Sequence, residues 1–176
     1  MDAIVEAALK KWPGVPNCYG WLALDARGNW YMRDDRVQAV GAFPQVKGSR
    51  IEHVKLREFI ERNYAADAAG AWFFQNGPQR VYVELEAAPW VWRLSLDGNG
   101  AVALATHTGL AAVATESFID ESGRLFLASP LGLGLVHTLD MGIAADLVER
   151  GIWQPAEARF DALVERFGYQ LRPAAG

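Results

Sequence analysis

The sequence predicts an α+β fold in which a largely antiparallel sheet, built from hairpins, carries helices on one side. Three observations carry that expectation. An Asp-x-x-Gly spacing recurs between apolar runs, in WLALDARGNWYM at 21–32, WRLSLDGNGAVAL at 92–104 and SFIDESGRLFL at 117–127. Short runs rich in Val, Leu, Phe and Trp, divided by Gly, Pro and Asn, outnumber the helical stretches and follow one another directly. Four stretches, at about 3–12, 49–64, 139–150 and 155–167, repeat apolar residues at helical intervals instead.

In chain order, Ile4, Val5, Ala8, Leu9 and Trp12 form the stripe of a first helix, with Asp2 as N-cap and Pro13-Gly14 ending it. Strands at 20–25 and 29–33 follow, joined through Asp25 and Gly28. In a three-residue hairpin loop the Asp carboxylate accepts backbone N–H groups of a type I turn, and the Gly takes the left-handed conformation. That register opposes Leu24 to Trp30 and Leu22 to Met32, Leu96 to Val102 and Leu94 to Leu104, and Ile119 to Leu125. A two-residue turn at Gly98-Asn99 would face Leu96 and Leu94 with alanines, so the bulged turn is the expectation. A calcium loop would need further oxygen ligands at alternate positions, which these segments lack.

Residues 33–48 show no clear period and read as an irregular connection. Ser49 and Glu52 have capping-box spacing ahead of Ile51, Val54, Leu56, Phe59, Ile60 and Tyr64, of which Leu56 fits the stripe least well. Strands are expected at 71–75, 79–86, 90–96, 101–107, 113–119 and 124–129, and again around Leu135-Val136-His137. A helix at 139–150 turns Ile143, Leu147 and Val148 inward and stops at Gly151. Pro155 opens the last helix, whose Phe160, Leu163, Val164 and Phe167 share a face and which Gly168 caps. The seven tryptophans, spread along the chain from Trp12 to Trp153, read as packing residues.

Composition narrows the function classes. With 17 basic and 21 acidic residues the net charge is −4, without blocks, which gives no footprint for nucleic acid. The apolar stretches fall short of a membrane span, and the amino terminus reverses the order of a secretory leader, so a soluble, cytoplasmic protein is expected. Cys18, the lone cysteine, suits a reducing compartment. One unit over 1–176 is expected, with two related halves meeting near 97–113 as the open alternative, because AWFFQNGPQRVYVELEAAP at 71–89 is echoed by RLFLASPLGLGLVHTLDMG at 124–142.

Taken together, GWLALDARGNWYM, the 49–64 helix, WFFQNGPQRVYVELEAAPW and GLGLVHTLD resemble uncharacterised proteobacterial families of unknown function. The resemblance implies a fold of repeated strand-rich motifs and a ligand-binding or signalling role. It brings no catalytic residues to transfer.

Candidates for chemistry are few. His53, His107 and His137 lack metal-ligand spacing, and no metal or cofactor is expected. His137 ahead of Asp140 could act as a base, with Cys18, Ser117 or Ser129 brought in by the fold. Gly132-Leu133-Gly134 is too short for a phosphate loop. Arg80, Tyr82 and Glu84 alternate with Val81, Val83 and Leu85, and Arg93 sits on the following strand; if the faces coincide, these four line one surface, and an overhanging 33–48 connection would make it a cleft for a small anion. The expectation is a non-enzymatic module that binds a small ligand or a protein partner, with a regulatory role. A hydrolase-like enzyme using His137 and Asp140 is the competing reading, and ligand and oligomeric state stay open.

Overall fold

The computed structural model describes residues 1–98 and 100–175. Its elements run α1 (Ala3–Lys11), β1 (Cys18–Leu24), β2 (Trp30–Met32), α2 (Asp35–Val40), β3 (Ser49–Arg50), α3 (Val54–Arg62), β4 (Tyr64–Ala66), β5 (Trp72–Asn76), β6 (Gln79–Leu85), β7 (Trp90–Leu96), β8 (Val102–Thr106), β9 (Ala111–Ala112), β10 (Glu116–Ile119), β11 (Leu125–Ser129), β12 (Gly132–Val136), a 3-10 turn (Thr138–Asp140), α4 (Met141–Glu149), β13 (Ala156–Glu157) and α5 (Phe160–Phe167). The fold is α+β, with mostly antiparallel ladders.

The chain divides into two units: Met1–Asp25, Asn29–Glu86 and Tyr169–Gly176 form the first, Ala26–Gly28 and Ala87–Gly168 the second. The main passage from one to the other falls between Glu86 and Ala87. The first unit holds a sheet ordered β3-β2-β1-β6-β5-β4, the second one ordered β13-β10-β11-β12-β7-β8-β9. Read from its other end and without β13, the second order reproduces the first. Each unit is two three-strand meanders whose inner strands meet in parallel, β1 with β6 and β7 with β12. The echo between 71–89 and 124–142 is this repeat, since β5–β6 and β11–β12 are its equivalent hairpins.

The three Asp-x-x-Gly hairpins pair as the spacing required, Leu24 with Trp30, Leu96 with Val102 and Ile119 with Leu125. Each carboxylate accepts the amide after the glycine: Asn29 N at 2.9 Å, Ala101 N at 2.8 Å and Arg124 N at 2.8 Å. Gly123 sits at φ +75°, where a side chain would be strained. Asn99, inside the second bend, lies outside the described residues. A fourth copy, Asp67-Ala68-Ala69-Gly70, joins β4 to β5, with Ala71 N donating to Asp67 at 3.0 Å. In the turn between β8 and β9 a threonine does the same work, Leu110 N donating to the Thr106 hydroxyl at 3.0 Å.

Several expected boundaries move. Ser49–Arg50 is not helix but the edge strand β3, paired to β2, so the capping box gives way to His53, whose Nδ1 accepts Leu56 N. Tyr64 leaves the helix for β4, because Tyr64 and Ala66 find ladder partners in Phe74 and Trp72. The 33–48 connection contains α2, capped by Asp34 through Val37 N. The last helix starts at Phe160 and not at Pro155, since Ala156–Glu157 bonds instead to the edge of β10. Asp2 makes no side-chain cap and pairs with Arg62. On α4, Ala144 and Leu147 are buried while Val148 is exposed. Trp30, Trp90 and Trp92 are core residues, but Trp12 and Trp21 are not. No helix among the described residues is long and apolar enough to cross a membrane.

Candidate functional site

The first unit's sheet presents Leu22, Met32, Phe74 and Val81 on one face, and α3 lies over that face through Leu56, Phe59 and Ile60. Helix and sheet do not close completely. They leave a cavity of about 360 Å³ lined by these residues with Ile51, Trp21, Cys18, Asn76 and Gln79. Phe59 meets Phe74 edge to face at 5.4 Å, which fixes one wall.

Trp21 reaches this cavity through an irregularity of β1. Cys18 pairs with Val81 and Leu22 with Val83, so β1 spends two more residues than β6 over the same span. Tyr19, Gly20 and Trp21 absorb the excess, with Gly20 at φ +77°. A Cβ there would lie 2.5 Å from the Gln38 side-chain oxygen, the far end of a side chain that can swing aside, so it is the positive φ that favours glycine. Strand irregularities of this sort re-aim side chains. Here Tyr19 stacks flat on Tyr82 at 4.7 Å, while Trp21, 39% exposed, stands at the cavity mouth.

The polar end of the cavity is mild in chemistry. Burial pushes the Cys18 thiol above its ordinary value, and the negative charge of Asp35 adds to the effect. The thiol is therefore held in its neutral, poorly nucleophilic form. Gln79 is occupied by the Pro16 carbonyl at 3.0 Å. Among the described residues no group of three or more His, Cys, Asp or Glu side chains could hold a metal ion.

The polar residues singled out in the sequence fall elsewhere. β6 and β7 belong to different sheets, so Arg80, Tyr82 and Glu84 share no sheet face with Arg93. Tyr82 is buried and donates its hydroxyl to Asp67 at 2.9 Å, and Arg80 lies over the Phe73 ring at 4.4 Å. Burial and the Asp67 carboxylate together raise the Tyr82 phenol. Glu84 is paired with Arg33, whose guanidinium also donates to the Val46 and Gly41 carbonyls. The 33–48 connection thus does overhang this face, but its arginine is consumed by protein acceptors.

In the second unit, Asp140 and Arg93 form a bidentate pair at 2.6 and 3.2 Å, and Leu94 N adds a third bond at 3.0 Å. Burial would raise the Asp140 carboxyl, but these donors outweigh it and hold it below the ordinary value. The His137 Nδ1 accepts Leu139 N at 3.0 Å, capping the 3-10 turn. Ser129 accepts Leu131 N. Cys18 lies in the other unit.

Sequence reading missed the cavity walls Trp21, Met32, Ile51, Leu56 and Phe59 as a site. One signal was present. Leu56, the poorest fit to the apolar stripe of α3, is a residue that faces the cavity and not the packed core.

Fold and site together define a two-repeat α+β protein with a helix-roofed apolar cavity in its first repeat. The chain belongs to the DUF2944 family, described as "Protein of unknown function (DUF2946)", whose model matches residues 1–174. No curated protein matches it. Among solved structures it is similar to a DUF1285 family protein from Silicibacter pomeroyi DSS-3, with 14% identity, a TM-score of 0.52, and coverage of 84% of this chain and 85% of that one. A DUF1285 family protein from Shewanella baltica OS155 aligns over 72% of this chain and 91% of its own, at 13% identity and a TM-score of 0.43. At such identity the first likeness bears on the fold alone.

Proposed function

We propose that the protein is a non-enzymatic binding module whose first repeat takes a small, largely apolar molecule between the sheet and α3. The observation that carries this reading is the β1 irregularity, which sets an exposed tryptophan at the mouth of an apolar cavity where regular alternation would not bring it. A volume of about 360 Å³ falls within the range of roughly 300–1,000 Å³ occupied by small-molecule sites. The hydrolase alternative has less support, because the Asp140 carboxylate is engaged by Arg93 and the Leu94 amide.

Titration with anilinonaphthalene sulfonate tests the reading. Trp21→Ala and Leu56→Glu are expected to weaken binding about tenfold or more, ~1.4 kcal/mol. Trp12→Ala, exposed and outside the cavity, serves as the control. Equal binding by all variants would remove the cavity as the site.

A further inference from the structure

The second repeat carries its own groove at the corresponding place. Val102, Leu104, Ala112, Val113 and Ala114 form one wall, and Leu147, Ile152 and Trp153, with Arg150, form the other, around a volume of about 360 Å³. The correspondence is one of register. Met32 and Leu104 stand at the same distance past their turn glycines, opposite Leu22 and Leu94, and each lines its own cavity. In the first repeat the chain between β3 and β4 supplies the covering helix α3. In the second, the link between β9 and β10 is only Val113-Ala114-Thr115, and α4 covers the sheet instead, through Leu147.

That exchange of covering helix changes the chemistry of the mouth. The first cavity has no charged residue in its lining, whereas the second has Arg150. Among the described residues Arg150 is paired across the helix surface to Asp146 at 3.1 Å, with the two side chains 57% and 60% exposed. Water-exposed pairs of that kind hold their partners weakly, so a ligand carboxylate can replace Asp146 at small cost. The alanines on one wall and Trp153 on the other leave a slot for a chain in place of a bulky ring system.

We infer that the groove of the second repeat is a separate site for an amphipathic monocarboxylate of medium chain length, its chain between β8–β9 and α4 and its carboxylate on Arg150. This goes beyond the apolar site of the first repeat and does not depend on it. Decanoate and decanol are the probes, followed by heteronuclear NMR at the amides of Ala112, Val113 and Ala114 and the indole of Trp153. Decanoate should shift these signals. Arg150→Glu should weaken decanoate about tenfold while leaving decanol within about twofold, and Ala114→Trp, which fills the slot, should abolish both. The first repeat is read separately, at the Trp21 indole and with Trp21→Ala, so either site can fail alone. Decanoate shifts that are absent, or that survive Arg150→Glu and Ala114→Trp unchanged, would overturn the inference.

Discussion

Asp97 and Asp120 occupy the same place in the same kind of turn, both within the second unit, yet truncation should affect them very differently. The Asp120 side chain is fully buried and accepts Ser122 N at 3.0 Å, Arg124 N at 2.8 Å and Arg124 Nε at 2.7 Å. Asp97 is exposed and accepts Ala101 N at 2.8 Å. A hydrogen bond to a charged group is worth about 1.5–3 kcal/mol net when its loss leaves the partner unsatisfied. In Asp120→Ala, the Arg124 guanidinium, 32% exposed, recovers water, while the Ser122 and Arg124 amides, whose bonds to the carboxylate are part-buried, lose their acceptor. Counting chiefly the amides, and discounting for relaxation, Asp120→Ala should cost about 3 kcal/mol. At Asp97 water replaces the lost acceptor, and Asp97→Ala should cost about 1 kcal/mol or less. Asp120→Asn keeps one acceptor oxygen and should fall between. Guanidinium unfolding of the three variants, with tryptophan fluorescence and far-UV circular dichroism compared for coincidence, measures the series. If Asp97→Ala and Asp120→Ala differ by less than about 0.5 kcal/mol, burial does not grade these turns and the reasoning fails.

Other outcomes follow from the geometry. Because the folded Asp140 carboxyl is held below its ordinary 3.8, its contribution to stability is present at neutral pH and lost as pH falls below that value. The stability gap between wild type and Asp140→Asn should therefore narrow in acid, and a gap unchanged across the acid side of 3.8 would contradict the pairing with Arg93. Cys18, with its thiol pushed up by burial, should react with a disulfide reagent at neutral pH more slowly than a free thiol, and an occupied cavity should slow it further; fast reaction would argue for an activated thiol. A Cβ on Gly134 would lie 2.4 Å from the Trp92 indole nitrogen and 2.8 Å from the Trp90 Cβ, so Gly134→Ala should cost about 1–3 kcal/mol or prevent folding. Gly142→Ala, with open space around it on α4, is the control, and thermal melts compare the two.

What could be read in the sequence was what is local. An Asp accepting the amide four residues on, with Gly in the left-handed position, is decided within five residues, so the bends, their registers and the α+β class could all be inferred. The same rule applied to Asp67 would have given a fourth bend and, with it, β4; that site was hidden because Tyr64 completes a helical stripe as well as it completes a strand. Two-residue strands such as β3 and β13 have almost no period of their own, and only an edge to bond to makes them strands.

The site was harder to read for a different reason. Arg93 and Asp140 are 47 residues apart, and each had a plausible local role that its partner cancels: a charged residue on a strand, and a carboxylate beside a histidine. Trp21 was harder still, because strict alternation puts it on the same face as Tyr19, and only the two-residue excess in β1 sends the two rings apart. A sequence pattern records what a regular element would do, whereas Trp21 stands at the cavity of the first repeat because an element departs from regularity. Removing that departure is therefore a sharper test of function than removing any polar group. Shortening β1 by deleting Gly20 and Trp21 should restore alternation through Leu22 and keep its pairing with Met32, and a chain that still folds but no longer binds the fluorescent probe would separate the role of the irregularity from that of the sheet.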